Sequence, residues 1–151
     1  MAPQIKLSLL AHFDRHFPLP TYQTPGAAGA DIRAMLEGGE MVIHPGERVL
    51  VPTGLAMEIP PGFEVQVRPR SGLSYKTGLM VLNAPGTIDS DYRGEVKIIL
   101  GNLGKTDEVI KHGDRIAQLV VAACVQAVFQ EQAQLSATER GAGGFGHTGQ
   151  Q

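Results

Sequence analysis

Asp89 and Asp91 lie in the run Asn83-Ala84-Pro85-Gly86-Thr87-Ile88-Asp89-Ser90-Asp91-Tyr92-Arg93-Gly94-Glu95, which also carries an amide, a phenol and a guanidinium. Pro85-Gly86 and Arg93-Gly94 are turn signals, so the polar residues between them occupy a short, constrained arch. Two readings fit this arch. Asp and Ser are good turn formers, and the segment is then an ordinary hairpin tip. Alternatively, Asp89, Asp91 and Tyr92 hold a water, a sugar ring and a phosphate-bound cation close together.

Three other segments carry groups suited to an anion. In Pro69-Arg70-Ser71-Gly72, Arg70 offers a planar fork for phosphate oxygens, Ser71 a hydroxyl and Gly72 a bare backbone N–H. Ser71 has no G-x-S-x-G elbow to make it a nucleophile, and its plainer role is a helix cap. In Gly113-Asp114-Arg115-Ile116-Ala117-Gln118, both Arg115 and Gln118 can address an anion. The plainer alternative there is an exposed Asp114–Arg115 pair at a strand end, worth little energetically. The segment 140–149 holds five glycines in ten residues, so it loses much entropy on ordering and is expected to be mobile without a ligand. It is either a frayed tail or a closing arm in which Arg140, Phe145 and Thr148 cover a nucleotide.

Some patterns lead nowhere. Gly141 to Gly146 fits G-x-G-x-x-G, but only five residues follow Gly146, too few for the helix of a βαβ unit. No G-x-x-x-x-G-K-[ST] is present. His12, His16, His44 and His112 lack metal-site spacing and read as surface or packing residues. Any divalent cation then arrives on the substrate, as Mg²⁺ usually does with nucleotides.

The elements that must position these groups are short. Glycine (19) and proline (10) punctuate the chain, at Pro45-Gly46, Pro52-Thr53-Gly54 and Pro60-Pro61-Gly62 among other places. Between the turn signals lie runs of strand length at 48–51, 55–59, 63–68, 79–82, 95–100, 115–121 and 125–129. The run 63–68 alternates apolar and polar residues, the period of a strand with one buried face. This pattern predicts an all-β barrel or sandwich, with 71–76 the one segment suited to a short helix. With 151 residues the chain makes one domain with a sizeable core. A net charge of -2 argues against a nucleic-acid partner but accommodates a small anion. Cys124, in an apolar run, reads as a buried thiol without a disulfide. Neither a signal-peptide layout nor a membrane-length apolar run is seen, so a soluble cytoplasmic protein is expected.

Taken together, these segments resemble the trimeric deoxyuridine triphosphate nucleotidohydrolases (dUTPases) at five separated blocks in order. Ala28-Gly29-Ala30-Asp31-Ile32-Arg33-Ala34 is similar to the first family motif and Pro69 to Gly78 to the second. Asn83 to Glu95 is similar to the third, Gly113 to Gln118 to the fourth and Arg140 to Gly149 to the fifth. The resemblance implies a jelly-roll-like β-barrel (β-clip) with one short helix, spanning residues 1–137, and a C-terminal arm at 138–151 that closes over the site. It implies a homotrimer with three shared active sites, natural under closed threefold symmetry. The implied reaction is Mg²⁺-dependent hydrolysis of dUTP to dUMP and pyrophosphate, which limits uracil in DNA and supplies dUMP for dTMP synthesis.

Carried onto matching positions, Asp89 becomes the general base for a water attacking the α-phosphorus. Arg70, Ser71, Gly72 and Gln118 hold phosphate oxygens. Asn83 and the backbone of Thr87 and Ile88 read uracil, Tyr92 underlies the deoxyribose and excludes a 2′-hydroxyl, and Lys97 contacts the nucleotide. Asp31 supports the metal through water, with no direct protein ligand. In the arm, Phe145 covers the base while Arg140, Gly146 and Thr148 reach the phosphates. His147 replaces a frequent Ser, and Ser74-Tyr75 replaces smaller residues. The related deoxycytidine triphosphate deaminases use a catalytic Glu on the strand after the Gly94 turn, where this chain has Ile98, Ile99 and Leu100. A non-catalytic nucleotide-binding module would be expected to lack Asp89 or the arm.

Overall fold

In a computed structural model, which describes residues 2–145, the chain forms eleven strands and one helix. The strands are β1 (Lys6–Leu9), β2 (Thr21–Tyr22), β3 (Ala30–Arg33), β4 (Glu40–Ile43), β5 (Arg48–Glu58), β6 (Phe63–Arg68), β7 (Leu79–Val81), β8 (Gly86–Ile88), β9 (Glu95–Asn102), β10 (Glu108–Lys111) and β11 (Arg115–Ala123). The helix α1 (Ser71–Lys76) falls where the sequence predicts it. The strands make a four-stranded sheet in the order β1-β5-β9-β7, a five-stranded sheet β2-β3-β11-β6-β8 and a ribbon β10-β4. All pairings are antiparallel, as the jelly-roll-like expectation requires.

Period-two alternation drives the burial. On β9, Val96, Ile98 and Leu100 point into the core, while Glu95, Lys97 and Ile99 face outward. On β6, which pairs with β8 and β11, Val65 and Val67 are buried in the core. Ile32, Val51, Leu55 and Ile116 from both sheets complete the packed interior. Removing these side chains from water is worth about 1.5–3 kcal/mol each.

Four sequence expectations need correction. Pro52-Thr53-Gly54 is no turn: β5 runs straight through it for 11 residues, with a register shift against β9 between Pro52 and Ala56. The cause is the N-terminal segment crossing there. Leu10 N–H donates to the Gly54 carbonyl at 2.9 Å, and a Cβ on Gly54 would stand 2.9 Å from the Phe13 Cα. Gly54 also has φ of 67°, so the bulge requires glycine on both counts. Second, the turn expected at Pro85-Gly86 lies earlier, closed by Ala84 N–H to the Val81 carbonyl, and Gly86 already pairs with Val67 in β8. Third, 125–129 is not a strand. The ladder with β6 ends at the Ala123–Phe63 pair, so Val125, Val128 and Phe129 find no strand partner among the described residues and are at least 94% exposed. Fourth, Cys124 shares that fate and is exposed, tied to the body by its N–H to the Gly62 carbonyl. Strands β1, β2, β3, β4, β8 and β10 lie outside the runs that the sequence marks. No helix among the described residues is long and apolar enough to cross a membrane.

Candidate active site

The arch after β8 is built by its own hydrogen bonds. Tyr92 N–H donates to the Asp89 carbonyl at 3.2 Å, and the Tyr92 hydroxyl donates to the Glu95 carbonyl at 3.0 Å. The Arg93 guanidinium closes the other side by donating to the carbonyls of Ser90 (2.7 Å) and Tyr92 (3.0 Å). The result is a rigid loop that presents the Asp89 carboxylate to solvent at the rim of a cleft of about 480 Å³. Asn83, Thr87, Ile88, Tyr92 and Lys97 line the same cleft, so six of the predicted residues converge. A cavity of this size suits a nucleoside.

Sequence reasoning missed part of this wall. Leu50, Val67, Val96 and Ile99 supply apolar floor, and Glu95 supplies a second carboxylate. The signal for Glu95 was present, since it stands two residues before Lys97 on one face of a strand. What the sequence could not reveal is its partner, His12, whose Nε2 lies 2.7 Å from Glu95 Oε1. Gly54 N–H donates to the same oxygen at 2.9 Å, and Lys97 Nζ stands 3.6 Å from Oε2. Burial alone would raise the Glu95 pKa, but the His12 and Gly54 hydrogen bonds, with the charges of His12 and Lys97, carry the net shift downward.

A second group gathers where β3, β11 and the β6–α1 junction meet. Asp31 is held by two guanidiniums: Arg70 Nε donates to Oδ1 and Arg115 Nη1 to Oδ2, each at 3.0 Å. Arg70 Nη1 also donates to the Arg115 carbonyl at 3.1 Å. Arg115 therefore does not form the exposed pair with Asp114; Asp114 instead accepts from Lys111 N–H at 2.8 Å and closes the turn before β11. Gln118 Nε2 donates to the Pro69 carbonyl at 2.9 Å, which fixes the loop carrying Arg70. Ser71 opens α1 and is no cap: Arg70 holds the N-cap position, and no side-chain cap bond is made. Ser71 and Gly72 are exposed beside this group. None of Arg70, Ser71, Gly72, Gln118 or Asp31 lines the Asp89 cleft.

The turn feeding Arg115 is pinned by the N-terminal segment. Phe17 occupies the space beside Gly113, where a Cβ would come within 2.1 Å of its ring, and stands edge-on to His112 at 5.4 Å. His112 Nδ1 accepts from Leu36 N–H at 3.0 Å, which leaves Nε2–H to donate to Asp14 Oδ2 at 3.1 Å. The His16 backbone N–H, joined by the His112 and His16 rings, holds the Asp14 carboxyl down to about 2. A depressed folded pKa stabilises the fold above the ordinary carboxylate range near pH 4, and that contribution is lost as pH falls toward 2. The melting-temperature gap between the wild type and Asp14→Asn should accordingly close as pH drops through this window. A gap constant down to pH about 2 would remove Asp14 from this role.

Of the predicted arm residues, Arg140 and Phe145 are described, and neither lines the Asp89 cleft. Arg140 donates to the Gly143 carbonyl at 2.8 Å, and Phe145, with φ of 53°, is fully exposed. Gly146 and Thr148 lie outside the described residues.

The chain was compared with known proteins. The family model described as dUTPase matches residues 15–149. A deoxyuridine 5'-triphosphate nucleotidohydrolase of Roseobacter denitrificans is 57% identical over 96% of this chain and 95% of its own. One from Desulfotalea psychrophila is 61% identical over 87% of each chain. The solved structure of Staphylococcus bacteriophage 80alpha dUTPase with dUPNHPP, 26% identical, superposes with a TM-score of 0.86 over 97% of this chain and 98% of that one. A pattern that runs through both clusters of the site, with relatives this similar along nearly the whole chain, leaves one conclusion: the chain belongs to the dUTPase family.

Proposed function

We propose that this protein is a dUTP diphosphatase, which hydrolyses dUTP to dUMP and pyrophosphate by water attack on the α-phosphorus. The observation that carries the reading is the Asp89 carboxylate, held on a hydrogen-bonded turn at the rim of a nucleoside-sized cleft. Asp89 takes a proton from the attacking water. The polar backbone of Thr87 and Ile88, with Asn83, pairs with uracil, and Tyr92 packs under the deoxyribose. Lys97 contacts the nucleotide from β9. Arg70, Ser71, Gly72 and Gln118 take the phosphates.

Mg²⁺ enters as part of the substrate, chelated by the triphosphate, where it offsets phosphate charge. The donor set fits that arrangement. Both Asp31 oxygens already accept from arginines, and among the described residues no group of three or more His, Cys, Asp or Glu could hold an ion. Each Asp31 oxygen keeps further acceptor capacity, which suits it to a metal-bound water.

The two clusters sit on different parts of one chain, which favours sites completed between subunits of a homotrimer. Val125, Val128 and Phe129, three exposed apolar residues within five positions, favour the same assembly, since removing such surface from water is favourable. The arm at 138–151, with Arg140, Phe145, Gly146 and Thr148, then closes over a bound nucleotide. Such an enzyme limits uracil incorporation into DNA and supplies dUMP for dTMP synthesis, with no nucleic-acid or membrane partner and a cytoplasmic location.

Pyrophosphate release from Mg²⁺–dUTP, compared with dCTP, dTTP and UTP, tests the reading. Cytosine leaves buried hydrogen-bonding groups unpaired, so kcat/KM for dCTP should be lower by about 10⁴. The 5-methyl of dTTP and the 2′-hydroxyl of UTP meet a close wall and should cost at least about 10² each. Equal turnover of all four, or ammonia release from dCTP, would contradict the assignment.

A further inference from the structure

We propose that His12 is a positioning residue for Lys97, acting through Glu95, and so tunes nucleotide affinity. The inference rests on the nucleotide reading of the Asp89 cleft. Lys97 borders two clefts: the one lined by Asp89, and a second of about 380 Å³ lined by Glu37 and Glu40 as well as His12 and Glu95. Its long side chain therefore has two destinations, and the acidic second cleft draws the ammonium away from the nucleotide.

Glu95 decides between them. Its carboxylate is only 13% exposed, and one oxygen, Oε1, accepts from both His12 Nε2 (2.7 Å) and Gly54 N–H (2.9 Å). Oε2 faces Lys97 Nζ across 3.6 Å, close enough to steer the cation but too far for a hydrogen bond. His12 is itself fixed by the crossing of the N-terminal segment over β5, where Leu10 bonds to Gly54 and Phe13 is buried. The clamp on Oε1 thus holds Glu95 back from Lys97. Without the His12 donor, Glu95 keeps only the Gly54 N–H, swings toward Lys97 and captures its ammonium in a contact pair. The cation is then withdrawn from the nucleotide, and affinity falls while the chemistry at Asp89 is untouched.

Steady-state dUTP kinetics on five variants test this. His12→Phe keeps the ring but loses the donor, and KM should rise about three- to tenfold with kcat within about twofold, the scale of one hydrogen bond. His12→Gln restores a donor at similar reach and should return KM to within about twofold of the wild type. Lys97→Ala should raise KM by itself, and adding His12→Phe to it should change nothing further, because the route runs through Lys97. Should His12→Phe fail to fold, Glu95→Gln decides: it still accepts from His12 and Gly54 but cannot steer a cation, so KM should rise. An unchanged KM in the folded His12→Phe or Glu95→Gln protein, or a His12→Phe effect undiminished in the Lys97→Ala background, would overturn the proposal alone. A wild type without dUTP turnover would overturn the functional reading and this inference with it.

Discussion

Asp89→Asn protein is expected to bind Mg²⁺–dUTP about as well as the wild type and to turn it over about 10²–10⁴ times more slowly, the usual cost of losing a general base. The substitution is close to isosteric and leaves the arch intact, because the bonds that shape it run through the Asp89 carbonyl, the Tyr92 hydroxyl and the Arg93 guanidinium. Asn can still orient a water but cannot take its proton. The loss should therefore fall on kcat, with KM nearly constant. Single-turnover and binding measurements separate these terms. Undiminished turnover would remove Asp89 from the mechanism, and a loss confined to KM would recast it as a binding residue.

Deleting residues 140–151 is expected to lower kcat/KM about 10²-fold or more while the native mass changes only by the deleted residues. In the proposed mechanism, closure of the arm excludes bulk water and aligns the reacting atoms, and misalignment of about 1 Å can cost that much. Among the described residues, the arm is little tied to the folded body: Arg140 donates to Gly143 in its own turn, and Phe145 is fully exposed. Thermal stability should therefore be nearly unchanged, which separates loss of closure from loss of fold. Wild-type kinetics in the truncated protein would mean that the arm takes no part.

Much of this was legible along the chain, because it is encoded locally. The turn after β8 lies inside the segment that the turn residues mark, although its first bracket moved off Pro85-Gly86; the helix Ser71–Lys76 falls where expected, and β6 follows from strict alternation. Features that depend on a distant partner were not legible. Pro52-Thr53-Gly54 carries every mark of a turn, and only the crossing of Phe13 makes it a bulge. The run 125–129 is mostly apolar and of strand length, yet the β6 ladder ends at the Ala123–Phe63 pair. His12 and Glu95 are 83 residues apart, and no spacing rule links them. Likewise, Arg115 turned from its neighbour Asp114 to Asp31, 84 positions away. Local chemistry announced the candidate groups, and the sheet pairings chose their partners.

The central claim is that a water primed by Asp89 attacks the α-phosphorus. Turnover of dUTP in oxygen-18 water, with the products weighed by mass spectrometry, tests it most directly. The account predicts one heavy oxygen in dUMP and none in pyrophosphate. Label in pyrophosphate would contradict it, because the new bond would then have formed at the β-phosphorus.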